Sequence, residues 1–144
     1  MLDTLGRSTG PNALHAILLA FPVALFTTAL VTDIAYLRTE ELQWTNFSSW
    51  LIAGGLVFTG LVLAWATVSL ILGLRNGPWL RDAVYAGLLA ALLVLGLVNA
   101  FQHSRDGWSS VETTGLVLSI LCALLALAAA FIAHTRVFSR EVGQ

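Results

Sequence analysis

Four long apolar stretches constrain this chain more than any other feature. They cover approximately residues 12–37, 49–74, 79–101 and 110–133, and polar residues lie between them. About 20 residues of helix cross a hydrocarbon core of about 30 Å, so each stretch is long enough to span a bilayer. In lipid, a helix satisfies its own backbone hydrogen bonds. We therefore predict an all-α bundle of four transmembrane helices, arranged up-down-up-down, in a single domain 1–144.

The composition agrees with a membrane protein and excludes several other classes. The chain is 58% hydrophobic and 10% charged, whereas about 25% of the residues of soluble domains are charged. The net charge is −1 and the arginines are scattered, so no basic patch for nucleic acid is present. The sequence has no hydrolytic triad, phosphate-binding loop or zinc motif, which favours a non-catalytic membrane protein over an enzyme.

The distribution of arginine predicts the orientation in a bacterial inner membrane. If the four spans alternate in direction, five arginines lie on the side of the termini and two on the other side. Basic residues are enriched in cytoplasmic segments, so we predict that both termini are cytoplasmic. The five are Arg7, Arg75, Arg81, Arg136 and Arg140, and the two are Arg38 and Arg105.

Two histidines are candidates for holding a cofactor. His15 begins the first span and His134 ends the fourth, so the topology places both near the cytoplasmic face. Two histidines from different helices at similar depth can supply the axial nitrogens of haem b. The alternative is that both are interfacial residues among headgroups and water. His103 lies on the opposite side, too far to share that iron, and its polar neighbours predict a solvated turn residue.

Asp33 is the other notable residue, because it lies about one turn inside the outer end of the first span. A buried charge needs a partner, and Asn99 and His103 end the third span on the same side. We therefore predict a polar intramembrane cluster of Asp33 with Asn99 or His103. Its functional interpretation is a proton or substrate pathway. The structural interpretation is an interhelical pair or a carboxylate that reaches outer-face water.

The first span resembles that of a bacterial membrane protein family, domain of unknown function 2231. That family's first span typically begins His-Pro-x-x-x-His-Phe-Pro and ends with an aspartate. Here His15, Phe21-Pro22 and Asp33 match this pattern, whereas Ala16 replaces the proline and Ala20 replaces the second histidine. A site that needs both family histidines is therefore not intact. The resemblance implies a four-helix bacterial inner-membrane protein, and an association of family members with redox proteins favours a redox context.

These observations lead to one main hypothesis and two alternatives. The main one is a small inner-membrane subunit that anchors or supports a larger membrane complex, with membrane lipid and a protein as partners. It includes a b-type haem electron-transfer subunit that uses His15 and His134. The first alternative is a small transporter or proton-conducting protein that uses Asp33. The second is a structural bundle without a cofactor.

Overall fold

The computed structural model describes residues 12–73, 79–105 and 111–141, with the backbone alone at 136–141. These residues form four helices, and the described ranges contain no strand. The prediction of an all-α, four-span bundle is confirmed. The helices are α1 (Ala13–Thr39), α2 (Leu42–Ile71), α3 (Trp79–His103) and α4 (Thr113–Glu141).

All four helices are long and apolar enough to cross a membrane. At 1.5 Å per residue they are about 38 to 45 Å long, so their ends extend beyond a hydrocarbon core of about 30 Å. Large apolar side chains are exposed around the outside of the bundle, among them Val31, Leu61, Val94 and Phe131. A helix that is apolar on all faces is typical of a membrane span, and this outer surface contacts lipid.

The helices form a closed ring in which each one packs against two neighbours. The contacting pairs are α1 with α2, α2 with α3, α3 with α4, and α4 with α1. Within the described ranges the diagonal pairs make no close backbone contact. The end of α1, the beginning of α2, the end of α3 and the beginning of α4 therefore meet at one end of the bundle, which we call the outer end.

The predicted connection at residues 38–48 is wrong, because α2 begins at Leu42 rather than near Ser49. Only Glu40 and Glu41 separate α1 from α2. Glu40 adopts the left-handed conformation, with φ 58°, and its backbone N–H donates to the Tyr36 carbonyl, which ends α1. The segment is predicted to be a connection because it contains Arg38, Glu40 and Glu41. Its later polar residues Thr45 and Ser48, however, are buried in the bundle.

Other boundaries differ too, most of all the end of α4, which lies at Glu141 rather than near Ala133. The helix α3 ends at His103 rather than Phe101, and α4 begins at Thr113 rather than near residue 110. Of the arginines that predict orientation, Arg7 and Arg75 lie outside the described residues. The side chains of the two arginines near the carboxyl terminus also lie outside them.

The interior contains two apolar layers along the bundle axis. One layer, toward the end that holds the start of α1, consists of Leu19, Val62, Ala66, Tyr85, Leu89 and Ala129. The other lies between it and the outer end and consists of Phe26, Ala29, Ile52, Leu92, Cys122 and Ala126. The two layers fill the interior on the side of the termini and leave the outer end for polar side chains.

Substitution of Gly55 by alanine is expected to destabilise the second of these layers. A Cβ at this position would lie 2.9 Å from Cε2 of Phe26, a buried ring that is held on several sides. Overpacking of this kind costs about 1–3 kcal/mol, which thermal unfolding in detergent would detect. The matched control is Gly60→Ala in the same helix, where an added Cβ meets no atom within 4 Å. Equal stability of the two variants would contradict the packing described here.

Candidate functional site

A group of buried polar side chains occupies the outer end of the bundle, and every helix contributes to it. We call this group the polar layer. Each of its residues is at most 7% exposed, although the layer lies among four helices that are otherwise apolar. Buried polar groups of this kind are costly in a membrane and are usually functional. The residues are Thr32 and Asp33 from α1, Ser48 from α2, Asn99 and His103 from α3, and Ser119 from α4.

Asp33 and His103 form the centre of the polar layer. The distance from His103 Nε2 to Asp33 Oδ1 is 3.0 Å, and both side chains are fully buried. Asp33 lies six residues before the end of α1, or about 9 Å along the helix. The prediction that His103 is a solvated turn residue is wrong, because it is the last residue of α3 and its ring points into the bundle.

The hydrogen bonds of His103 define how many protons the pair holds. His103 Nδ1 lies 3.0 Å from the backbone carbonyl of Asn99. A carbonyl oxygen only accepts, so Nδ1 carries a hydrogen and donates it. Nε2 and Asp33 Oδ1 then share one further proton. With that proton on Nε2 the pair is an imidazolium and a carboxylate, and with it on Oδ1 the pair is a neutral imidazole and a carboxylic acid. In both forms the pair is neutral overall.

Ser48 is the second residue, after His103, that hydrogen-bonds to the Asp33 carboxylate. Its hydroxyl donates to Asp33 Oδ1, the same oxygen that faces His103. Ser48 Oγ also lies 2.7 Å from Oγ1 of Thr32, and because the single Ser48 hydrogen goes to Asp33, Thr32 is the donor in this hydrogen bond. Ser48 carries no clear signal in the sequence, because serine near a span end resembles a helix cap. Its position 15 residues after Asp33, across a short turn, is the signal that could have identified it.

Asn99 connects the polar layer to α4 through Ser119. Two polar atoms of the layer have no hydrogen-bond partner. Asn99 Nδ2 donates to Ser119 Oγ at 3.0 Å. Asn99 Oδ1 and Asp33 Oδ2 are buried and have no hydrogen-bond partner. An unpaired buried polar atom costs about 1–3 kcal/mol. Both atoms are acceptors, so the polar layer lacks donors at two positions.

A cleft lies at the outer end of the bundle, the end that also holds the polar layer. Its volume is about 250 Å³, and its walls come from the end of α1 and the residues just before α4. Tyr36, which lines it, lies one turn beyond Asp33 on the same face of α1. Two carboxylate side chains also line the cleft, so its electrostatic character favours cations and protons. The lining residues are Tyr36, Leu37, Glu40, Val111 and Glu112.

His15 lies at the opposite end of the bundle and is partly buried among aromatic side chains. Its Nε2 is 3.1 Å from the Tyr85 hydroxyl. Its ring centroid is 5.8 Å from that of Tyr85 and 6.2 Å from that of Trp65. Trp65 lies within the second span, and its ring is beside that of His15. These contacts orient the imidazole toward α2 and α3.

His134 is exposed on α4. Its Nδ1 is 2.8 Å from the Ala130 carbonyl of its own helix, to which it donates. No hydrogen bond or ring contact joins His134 to His15 among the described residues. The pairing of these two histidines on haem b stays a prediction.

The described residues contain no group of three or more His, Cys, Asp or Glu side chains that could hold a metal ion. The polar layer instead combines one carboxylate, one imidazole, one amide and three hydroxyl groups. Such a set can bind and pass on protons and can hold water, because each member donates, accepts or does both.

Comparison with known proteins gives one match. A family model described as "Predicted membrane protein (DUF2231)" matches residues 11–144, and four apolar helices of membrane-spanning length agree with that description. No curated protein and no solved structure matches the chain. The match covers the part of the chain that forms all four helices, including the polar layer, and the chain therefore belongs to the DUF2231 family of predicted membrane proteins.

Proposed function

We propose that the chain is a small proton-translocating protein of the bacterial inner membrane, in which Asp33 and His103 form the proton-binding site. The observation that carries this proposal is the contact between His103 Nε2 and Asp33 Oδ1, with both side chains fully buried. A carboxylate and an imidazole are the groups that proton relays in membrane proteins use.

The two protonation states of the Asp33–His103 pair support a transport role. With one shared proton the pair is neutral, and its release leaves a carboxylate beside a neutral imidazole, with a charge of −1. Ser48 donates to the carboxylate and stabilises that charged form, because charge-assisted hydrogen bonds are stronger than neutral ones. The pair can therefore return to the neutral form by taking up one proton from either side.

The position of the pair favours a carrier over a continuous channel. The cleft lined by Tyr36 lies at the same end of the bundle as the polar layer. On the other side, Phe26, Leu92 and their neighbours fill the interior, and protons do not cross a dry apolar layer. Transfer to the cytoplasmic side therefore requires a rearrangement of the bundle.

Helix α1 has features that make it the moving element. Pro22 is buried within it and has no N–H for the carbonyl one turn earlier, which weakens the helix at that point. Thr27 and Thr28 donate to carbonyls four residues earlier, at 2.6 Å and 2.7 Å, a bond that often bends helices. Both features lie between the start of α1 and Asp33. Bending there would move Asp33 relative to the rest of the bundle.

A flux assay in liposomes tests the proposal. The purified protein is reconstituted with a pH-sensitive dye inside, and a potassium gradient with valinomycin makes the interior negative. Protons are expected to enter faster than in protein-free liposomes, at a rate limited by conformational changes on the microsecond to millisecond scale. Identical rates with and without protein would contradict a proton-translocating role.

The hypothesis of a subunit in a larger redox complex, with haem b on His15 and His134, stays a prediction beside this proposal. A reduced-minus-oxidised visible spectrum of protein from haem-supplied cells tests the haem. A b-type α band that disappears in His15→Ala would support it, and a flat spectrum would contradict it. Purification in mild detergent tests the subunit role through a partner that is retained at constant stoichiometry.

A further inference from the structure

We propose that the polar layer binds one water molecule, which donates one hydrogen to Asp33 Oδ2 and the other to Asn99 Oδ1. The starting observation is that these two atoms are buried without a hydrogen-bond partner, although the other polar atoms around them are paired. The two unpaired atoms lie on different helices, α1 and α3, and His103 contacts both residues through its two ring nitrogens.

The chemistry of the two atoms indicates a ligand with two hydrogens. A carboxylate oxygen and an amide oxygen accept hydrogen bonds and do not donate. Water supplies two donors, and buried waters typically make about three hydrogen bonds to groups that are otherwise unsatisfied. An anion or a carbonyl group would repel both oxygens.

Charge distinguishes water from a metal cation at the same position. While the Asp33–His103 pair holds its shared proton it is neutral, so a sodium ion bound to that form would leave a net positive charge inside the membrane, whereas water can stay bound to the neutral and the deprotonated forms alike. An uncompensated charge there is strongly unfavourable. Water adds no charge, and it is compatible with both positions of the shared proton.

The outer cleft lies at the same end of the bundle as the proposed water. Its volume of about 250 Å³ corresponds to roughly eight water molecules at about 30 Å³ each. Tyr36 lines the cleft and follows Asp33 by one turn of α1. The bound water would be the immediate proton donor and acceptor for Asp33. Asn99 is then a positioning residue, because it holds the water rather than the proton.

Infrared difference spectroscopy can detect the water independently of transport. Protein in lipid is perfused alternately at two pH values, and spectra recorded in H₂¹⁶O and H₂¹⁸O are compared. An O–H stretching band that shifts with the oxygen isotope is expected in the wild type. Asn99→Leu is expected to remove that band, since leucine fills the position and offers no acceptor, and Thr59→Val is the control. Thr59 is equally buried but donates only to the Gly55 carbonyl of its own helix.

A second variant keeps the test decisive if the leucine variant does not fold. Asn99→Ala removes the amide oxygen but leaves space, so the water band is expected to change frequency rather than vanish. Absence of an isotope-sensitive band in the wild type would overturn the inference, as would an unchanged band in both Asn99 variants. A band that changes when sodium chloride is replaced by choline chloride would indicate a cation instead and would also overturn it.

The role of the water in proton transfer rests on the proposed function, and flux separates the two claims. Loss of the water in Asn99→Leu is expected to reduce proton flux about tenfold, through the unsatisfied carboxylate oxygen. If the water band is present but no variant of Asp33 affects flux, the water site stands and the proposed function fails. If Asp33 variants stop flux while the water band is absent, the proposed function stands and the water site fails.

Discussion

Replacement of Asp33 by asparagine is expected to abolish protein-dependent proton flux and to leave the bundle folded. Asparagine has nearly the same shape as aspartate and can still hydrogen-bond Ser48 and His103, but it cannot take up a proton. The substitution leaves a neutral asparagine beside a neutral imidazole, so no uncompensated charge is added to the membrane interior. Flux in the liposome assay should therefore fall to the rate of protein-free liposomes, whereas the unfolding temperature in detergent should not fall.

The matched control for this variant is Glu41→Gln. Glu41 is an exposed carboxylate at the same end of the bundle, and its side chain makes no capping hydrogen bond to α2. Like Asp33→Asn, it replaces a carboxylate by an amide at this end of the bundle, so an effect of removing any carboxylate there would appear in both variants. Proton flux of Asp33→Asn equal to that of the wild type would show that Asp33 is not the proton-binding residue.

His103→Leu is expected to cause the largest loss of stability among single substitutions in the polar layer. It leaves the buried carboxylate of Asp33 with Ser48 as its only described hydrogen-bond donor. Removal of one partner from a buried ion pair typically costs about 3–5 kcal/mol. Chemical or thermal unfolding in detergent measures this loss.

A double-mutant cycle shows whether that loss comes from the pair. The combination Asp33→Asn with His103→Leu should recover most of the stability, because no uncompensated charge remains. His134→Leu, at an exposed position, is the control and should change stability by less than about 0.5 kcal/mol. If the double variant is as unstable as His103→Leu alone, the loss reflects packing of the imidazole rather than its interaction with Asp33.

The number and class of the helices follow from the sequence because hydropathy alone determines them. Each span needs about 20 apolar residues, and the four stretches exceed that length without ambiguity. The start of α2 could not be predicted from hydropathy. Thr45 and Ser48 are polar, and a hydropathy pattern cannot distinguish polar residues of a loop from polar residues buried inside a bundle.

The residues of the polar layer could be named in part, but their contacts could not. Asp33 is conspicuous because it is an acid within an apolar stretch, and alternation of the spans brings the end of α3 to the same side. Whether His103 points inward depends on the rotation of α3, which packing against neighbouring helices decides. Ser119 has no charge and lies in an apolar run, so only the contact with Asn99 identifies it.

The two-residue link between α1 and α2 has a consequence for how the chain enters the membrane. With Glu40 and Glu41 as the whole connection, the first two helices can insert together as an antiparallel hairpin. Ser48 then lies beside Asp33 during insertion, before α3 has been synthesised, and the carboxylate enters lipid with a hydrogen-bond donor already in place. His103 arrives later, 70 residues after Asp33 in the chain. The buried carboxylate of Asp33 would thus have a hydrogen-bond partner at each step of membrane insertion.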